Sequence, residues 1–233
     1  SGEARRIVHE ESATSVAAAD DLVFVGDGRH FLLSSERDGF NHLYLFQRDG
    51  TLVRLLTPGA LVVANSSADP RVGGSVVAVD EMSGTVYFTA TSGMPVAPAL
   101  YRVTLEGGPV ERVSAEVGTH RVSVSRDGRY YFDSFGNTET PNGLFLHTID
   151  GTRVATVTPP AAEPYARYRL QTPAFHTVPA DDGLPLPAFL SKPRGFDPAK
   201  KYPVILDVYG GPAAPQVRNA WLRDIMFSNV LLD

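Results

Sequence analysis

A phenol and two glycines stand side by side near the end of the chain, in Lys201-Tyr-Pro-Val-Ile-Leu-Asp-Val-Tyr-Gly-Gly-Pro212. A tyrosine is a neutral hydrogen-bond donor below its usual pKa of about 10. Tyr209 can therefore donate, across the neutral range, to an oxygen that is gaining negative charge. Glycines directly after it let the backbone turn sharply and approach a bound molecule closely. A donor aimed at a developing oxyanion contributes about 3 kcal/mol of transition-state stabilisation. The plain alternative is a tyrosine at a strand end with its hydroxyl bonded to backbone. The Gly-Gly-Pro that follows favours the donor role.

Other chemistry is harder to assemble. No Gly-x-Ser-x-Gly occurs before the sequence ends at Asp233, so no nucleophile elbow is expected. The six histidines, at 9, 30, 42, 120, 147 and 176, do not fall at metal-ligand spacing. His42 and His120 read as hydrogen-bonding residues of strands or loops. His176 lies near Asp181 and Asp182, but no serine there sits on a strained turn. Glu10 and Glu11 would suit an ammonium group, yet their context reads as a surface loop or strand end. Ser35-Glu-Arg-Asp-Gly39 mixes charges around a turn and reads as a loop holding itself together. Such exposed pairs contribute under about 1 kcal/mol. No cofactor and no metal are expected.

With 43% hydrophobic and 20% charged residues, the 233-residue chain has the composition of a globular protein of one or two domains. A net charge of -5 argues against nucleic acid as a main partner, because phosphate binding needs clustered Lys and Arg. No apolar run is long enough to span a bilayer, and Ser1-Gly2-Glu3 does not open a signal peptide. The absence of cysteine rules out disulfides and thiolate chemistry. It fits a bacterial periplasm or envelope as well as a cytoplasm.

The elements that must position Tyr209 begin with short strand-like runs separated by Asp-Gly and Gly-Gly. Among them are His30-Phe-Leu-Leu-Ser34, Leu43-Tyr-Leu-Phe46, Thr85-Val-Tyr-Phe-Thr89 and Arg129-Tyr-Tyr-Phe132, a pattern of antiparallel β-structure. Three segments repeat: Asp27-Gly28, Leu43-Tyr44, Asp49-Gly50, Leu56-Thr57; then Ser83-Gly84, Leu100-Tyr101, Gly107-Gly108, Val113-Ser114; then Asp127-Gly128, Leu144-Phe145, Asp150-Gly151, Val157-Thr158. The repeat lengths bracket the ~40–50 residues of a propeller blade. Blades are preferred to a β-sandwich because the pattern recurs in register.

A Pro/Ala-rich stretch, Thr158-Pro-Pro-Ala-Ala-Glu-Pro164, marks the expected domain boundary, giving units 1–160 and 161–233. Two runs flanking Asp181-Asp182-Gly183 predict a hairpin, and Pro187 makes its second strand an outer one. Residues 204–208 read as a buried core strand of an α/β sheet. Part of 220–229 has helical spacing, and Val230-Leu-Leu232 reads as the opening of another strand. The predicted fold is mostly β: a partial β-propeller of C-terminal blades followed by the opening strands of an α/β-hydrolase domain.

Three motifs carry a family resemblance. Ser35-Glu-Arg-Asp-Gly-Phe-Asn-His-Leu-Tyr44 resembles a late propeller blade of dipeptidyl peptidase IV-like enzymes, in the prolyl oligopeptidase family of serine peptidases. Gly118-Thr-His-Arg-Val-Ser-Val-Ser-Arg-Asp-Gly128, with Asp133-Ser134, is similar to the next blade. Lys200-Lys-Tyr-Pro-Val-Ile-Leu-Asp-Val-Tyr-Gly-Gly-Pro212 resembles the start of the family's catalytic domain. The resemblance implies peptide hydrolysis by a Ser-His-Asp triad lying beyond this chain, with release of Xaa-Pro dipeptides as one outcome and a homodimeric parent. It assigns Tyr209 to the oxyanion hole, and the chain alone is expected to be inactive. The alternatives are an acylaminoacyl-peptidase-like member of the family and a non-enzymatic propeller-type binding module.

Overall fold

Three consecutive antiparallel meanders dominate the computed structural model, which describes residues 2, 4–13, 16, 21–64, 74–93, 96–210, 215–222 and 224–232. The first sheet runs β1 (Leu22–Val25), β2 (His30–Ser35), β3 (His42–Gln47), β4 (Leu52–Leu55). The second contains β5 (Leu61–Val63), β6 (Val76–Asp80), β7 (Thr85–Ser92), β8 (Ala99–Thr104) and β9 (Glu111–Arg112). The third runs β10 (Thr119–Val124), β11 (Tyr130–Gly136), β12 (Gly143–Thr148), β13 (Arg153–Thr158). Strands adjacent in sequence are neighbours in space, which is blade topology rather than the Greek-key crossings of a sandwich.

The second blade departs from four strands because its first strand is split. β5 pairs with β7 through Leu61↔Ser92, Val62↔Thr91 and Val63↔Ala90, and β6 pairs with the same strand from Val76↔Phe88 to Asp80↔Thr85. Thr89 bridges the gap: its amide donates to the Ser75 carbonyl at 2.8 Å, its hydroxyl to the Ala64 carbonyl at 2.7 Å, and its carbonyl accepts the Ala64 amide at 3.0 Å.

Strand alternation places successive side chains on opposite faces, and in the middle blade both faces are buried. Val86 and Phe88 pack with Leu32, Leu43 and Leu45 of the first blade, while Tyr87 and Leu100 pack with Tyr131 of the third. Each fully buried side chain of this size contributes about 1.5–3 kcal/mol. The outer face of the first blade is closed differently, by Val8 against Phe31, Leu33, Tyr44 and Phe46. Asp21, buried, adds a polar tie between blades: it accepts the Ser75 hydroxyl at 2.8 Å and the Val76 amide at 2.9 Å.

A hydroxyl recurs at one position of the repeat. The Leu43 amide donates to Thr57 Oγ1 at 2.9 Å and the Leu100 amide to Ser114 Oγ at 3.0 Å, each pair separated by the same 14 residues. In the third blade, Leu144 and Thr158 stand opposite each other at the equivalent positions.

After β13 comes one helical turn, α1 (Glu163–Ala166), and then the hairpin β14 (Ala174–Pro179) and β15 (Pro185–Leu190). The hairpin closes as its turn residues require, with Gly183 at φ +83° and its amide bonded to the Ala180 carbonyl at 2.8 Å. Pro187 sits in a two-stranded ribbon, where both strands are outer strands.

Two expectations fail beyond the hairpin. Residues 204–208 form no strand with any described residue, and their apolar side chains are exposed: Val204 82%, Ile205 73%, Leu206 82%, Val208 68%. A strand exists only through its ladder partners, and none of the described residues supplies one. Val230 is the last residue of a helix, α2 (Ile225–Val230), and Leu231 and Leu232 form a turn, not a strand. Asn229 anchors that helix to the connecting segment, accepting the Gln171 amide at 2.6 Å and donating to the Gln171 carbonyl at 3.2 Å.

Candidate functional site

Tyr209 ends the exposed 204–208 segment and is itself 60% exposed. Its hydroxyl makes no hydrogen bond to another described residue. Gly210 follows at φ +66°, a left-handed backbone that a side chain rarely adopts, and nothing would meet a Cβ there. Gly211, Pro212, Ala213 and Ala214 lie outside the described residues.

The chain then docks on the blades. Val96 and Arg218 form a parallel β-bridge, in which the Val96 amide donates to the Val217 carbonyl at 3.0 Å and the Asn219 amide to the Val96 carbonyl at 3.0 Å. The Thr119 hydroxyl donates to the Asn219 carbonyl at 2.8 Å, and the Thr138 amide donates to Asn219 Oδ1 at 3.2 Å. One residue thus uses its amide, carbonyl and side chain on partners from two blades. Trp221, two residues later, meets Tyr165 edge to face with ring centroids 5.1 Å apart. A cavity of about 330 Å³ opens beside Asn219, bounded by Tyr101, Arg112, Gly118 and Phe175. Asn219 and Thr138 carry no local sequence signal, because their partners lie at least 81 residues away.

The histidines take structural places. His42 is buried with its Nδ1 3.3 Å from Thr57 Oγ1, and burial holds its pKa below the usual value against the pull of Asp38. His120 is fully buried, its Nδ1 2.7 Å from Asp133 Oδ2 and its Nε2 2.9 Å from the Glu116 carbonyl. His147 stacks on Tyr131 at 4.9 Å, its Nδ1 and Asp133 Oδ1 both without a partner among the described residues. Burial lowers the His147 pKa and raises that of Tyr131. His176 faces Ala188 across the exposed hairpin.

Glu10 forms an ion pair with Arg37, which also donates from Nε to Ser35 Oγ at 3.0 Å and lies over the Tyr44 ring at 4.8 Å. Tyr44 donates to Asp38 Oδ2 at 2.7 Å; burial first, then that carboxylate, pushes its pKa well up. The charged turn 35–39 therefore braces the first blade, as its sequence suggested. Among the described residues no group of three His, Asp or Glu is placed to hold a metal ion, and no helix is long and apolar enough to cross a membrane.

Stacked antiparallel meanders sharing apolar faces define part of a β-propeller. The chain belongs to the dipeptidyl peptidase IV family: residues 1–142 match the model of the dipeptidyl peptidase IV N-terminal region. It is 28% identical over 227 residues to dipeptidyl peptidase 4 of Trichophyton equinum, covering 93% of this chain and 28% of that protein. It is 30% identical over 194 residues to a protein of Aspergillus oryzae named probable dipeptidyl-aminopeptidase B, covering 80% of this chain and 20% of the other. The crystal structure of Porphyromonas gingivalis dipeptidyl peptidase 4 superposes with a TM-score of 0.75 at 29% identity, over 86% of this chain and 27% of that one. The chain thus spans under a third of the length of these relatives.

Proposed function

We propose that this chain supplies the last propeller blades and the oxyanion donor of a serine peptidase that releases dipeptides from peptide N-termini, Xaa-Pro dipeptides among them. The boundary between propeller and catalytic unit falls at 160/161, between the end of β13 at Thr158 and the start of α1 at Glu163. The Ser-His-Asp triad belongs to the parent protein beyond this chain, so these residues alone hydrolyse nothing.

The observation that carries the reading is the state of Tyr209. Its hydroxyl is exposed and unpaired among the described residues, next to a glycine in left-handed backbone. In a tetrahedral intermediate the phenol O–H donates to the oxyanion and lowers the barrier, while Gly210 lets the backbone turn away without crowding the substrate. The propeller restricts entry of the peptide to the site.

The test is an assay of the full-length parent on a Gly-Pro chromogenic amide. Turnover by the parent supports the reading. No turnover of this or other dipeptidyl amides rejects it in favour of a binding module.

A further inference from the structure

We propose that the cavity beside Asn219 is a binding site for a carboxylate carried on an apolar body, with the Arg112 guanidinium as its charged anchor.

The side chains that line this cavity bring hydrogen-bond donors and no acid. Arg112, on β9, stands opposite Tyr101 on β8, so both side chains lie on the same face of the sheet. The acids near Arg112 in sequence are already committed. Glu111 pairs with Arg102, Nη2 to Oε2 at 2.7 Å, and Glu116 pairs with Arg153. Arg112 spends one hydrogen, from Nη2 to the Glu116 carbonyl at 2.6 Å, and has no carboxylate partner among the described residues. Most of the guanidinium fork that matches a carboxylate therefore remains available.

Asn219 adds a second donor. Its Oδ1 must face the Thr138 amide, which donates to it at 3.2 Å, and this fixes which way the side-chain amide is turned. Nδ2 keeps its hydrogens, without a partner among the described residues. Ser92 Oγ and the Tyr101 hydroxyl lie 3.5 Å apart, too far for a strong bond, so both have capacity to spare. Phe175 and Val117 supply apolar surface that is 36% and 69% exposed. Covering it with a ligand is favourable, and the cavity of about 330 Å³ has the volume of a small-molecule site.

Charge and shape together select the ligand. A simple inorganic anion leaves Phe175 and Val117 wet, and a neutral ligand leaves Arg112 uncompensated. The matching end group occurs on a free carboxylic acid and on the C-terminus of a peptide.

The experiment is calorimetric titration of the full-length parent with phenylacetate, beside phenylacetamide, inorganic phosphate and acetyl-Gly-Gly-Phe, whose blocked amino terminus protects it from dipeptide release. Phenylacetate should saturate with a Kd of about 1 mM or below, and the amide and phosphate should bind at least ~10-fold more weakly. Arg112→Gln should weaken phenylacetate about 10- to 100-fold, the scale of a charge-assisted bond. Arg112→Lys keeps the charge without the fork and should fall between. Asn219→Asp keeps the acceptor for Thr138 but sets a like charge at the cavity, and should weaken phenylacetate while leaving phenylacetamide unchanged. Thermal midpoints of the Arg112 variants should match the parent's, because that side chain is exposed. Binding of the blocked peptide as tight as phenylacetate supports a peptide C-terminus as the source; binding of phenylacetate alone supports a free acid. Phosphate binding as tight as phenylacetate, unchanged phenylacetate binding in Arg112→Gln, or no saturation below about 10 mM overturns the proposal. Binding is read without turnover, so the result does not depend on Tyr209.

Discussion

His120 and Asp133 form a buried pair across β10 and β11: Nδ1 and Oδ2 are 2.7 Å apart, with side chains 0% and 1% exposed. The imidazole's other nitrogen meets the Glu116 carbonyl, so both ring positions are used inside the blade. A histidine beside a carboxylate invites a catalytic reading, but both groups are closed off inside the blade. Its work is to hold the first two strands of the third blade together.

Removing one partner of that pair strands the other in apolar surroundings. Asp133→Ala should destabilise the blade by about 3–5 kcal/mol, read as a lower urea midpoint. Replacing both residues by apolar side chains of similar volume should recover most of the loss. Equal stability of the single variant and the parent would show that the pair contributes nothing.

Tyr209→Phe should lower kcat of the full-length parent about 10²- to 10³-fold, the usual effect of deleting one oxyanion donor, with KM little changed. Because the side chain is 60% exposed, stability should change by under about 0.5 kcal/mol. A variant as active as the parent would take Tyr209 out of the site.

Thr57→Val keeps the shape of the side chain and removes the oxygen that accepts the Leu43 amide in a fully buried position. An amide left without a partner costs about 1–3 kcal/mol. Ser114→Ala should behave alike at Leu100, and two additive losses in the urea midpoint would mark the clip as a repeat-wide device.

Acid should weaken the fold through His42 and His147. Burial depresses both pKa values below 6.5, so the folded state binds these protons less readily than the unfolded chain. Their contribution is intact above about pH 6.5 and falls away as the pH drops through that value towards the depressed folded ones. His147→Phe, which keeps a ring against Tyr131, should flatten the fall in thermal midpoint between pH 7 and 5. An unchanged slope would assign the acid sensitivity to other groups.

Much of the fold was legible because its signals are local. Alternating apolar runs between Asp-Gly turns located β2, β3, β7 and β11, and the repeat of those turns indicated blades. The glycines have a tertiary reason too: a Cβ on Gly50 would lie 1.9 Å from the Ile7 carbonyl oxygen, and one on Gly151 2.6 Å from that of Val113. What escaped was set by partners distant in sequence. The apolar run 204–208 reads as a core strand, yet strand formation depends on a neighbour that the run cannot specify. The split of the first strand of the second blade is equally silent, since β5 and β6 are aligned by their shared partner β7. The proposed role of Tyr209 comes from the residues beside it. The docking contacts of Asn219 were not legible, because a single Asn whose partners lie at least 81 residues away leaves no periodicity.

That split strand also gives the blade a place to accept foreign chain. Ala64 and Ser75 are both clamped on Thr89, so the two stumps keep their places whatever links them. Closing a longer connection costs little, only about 0.6 kcal/mol for each doubling of its length. An epitope or a small reporter domain grafted between them would leave the ladder on β7 intact, while the same graft in the tight β1–β2 or β12–β13 turns would pull paired strands apart.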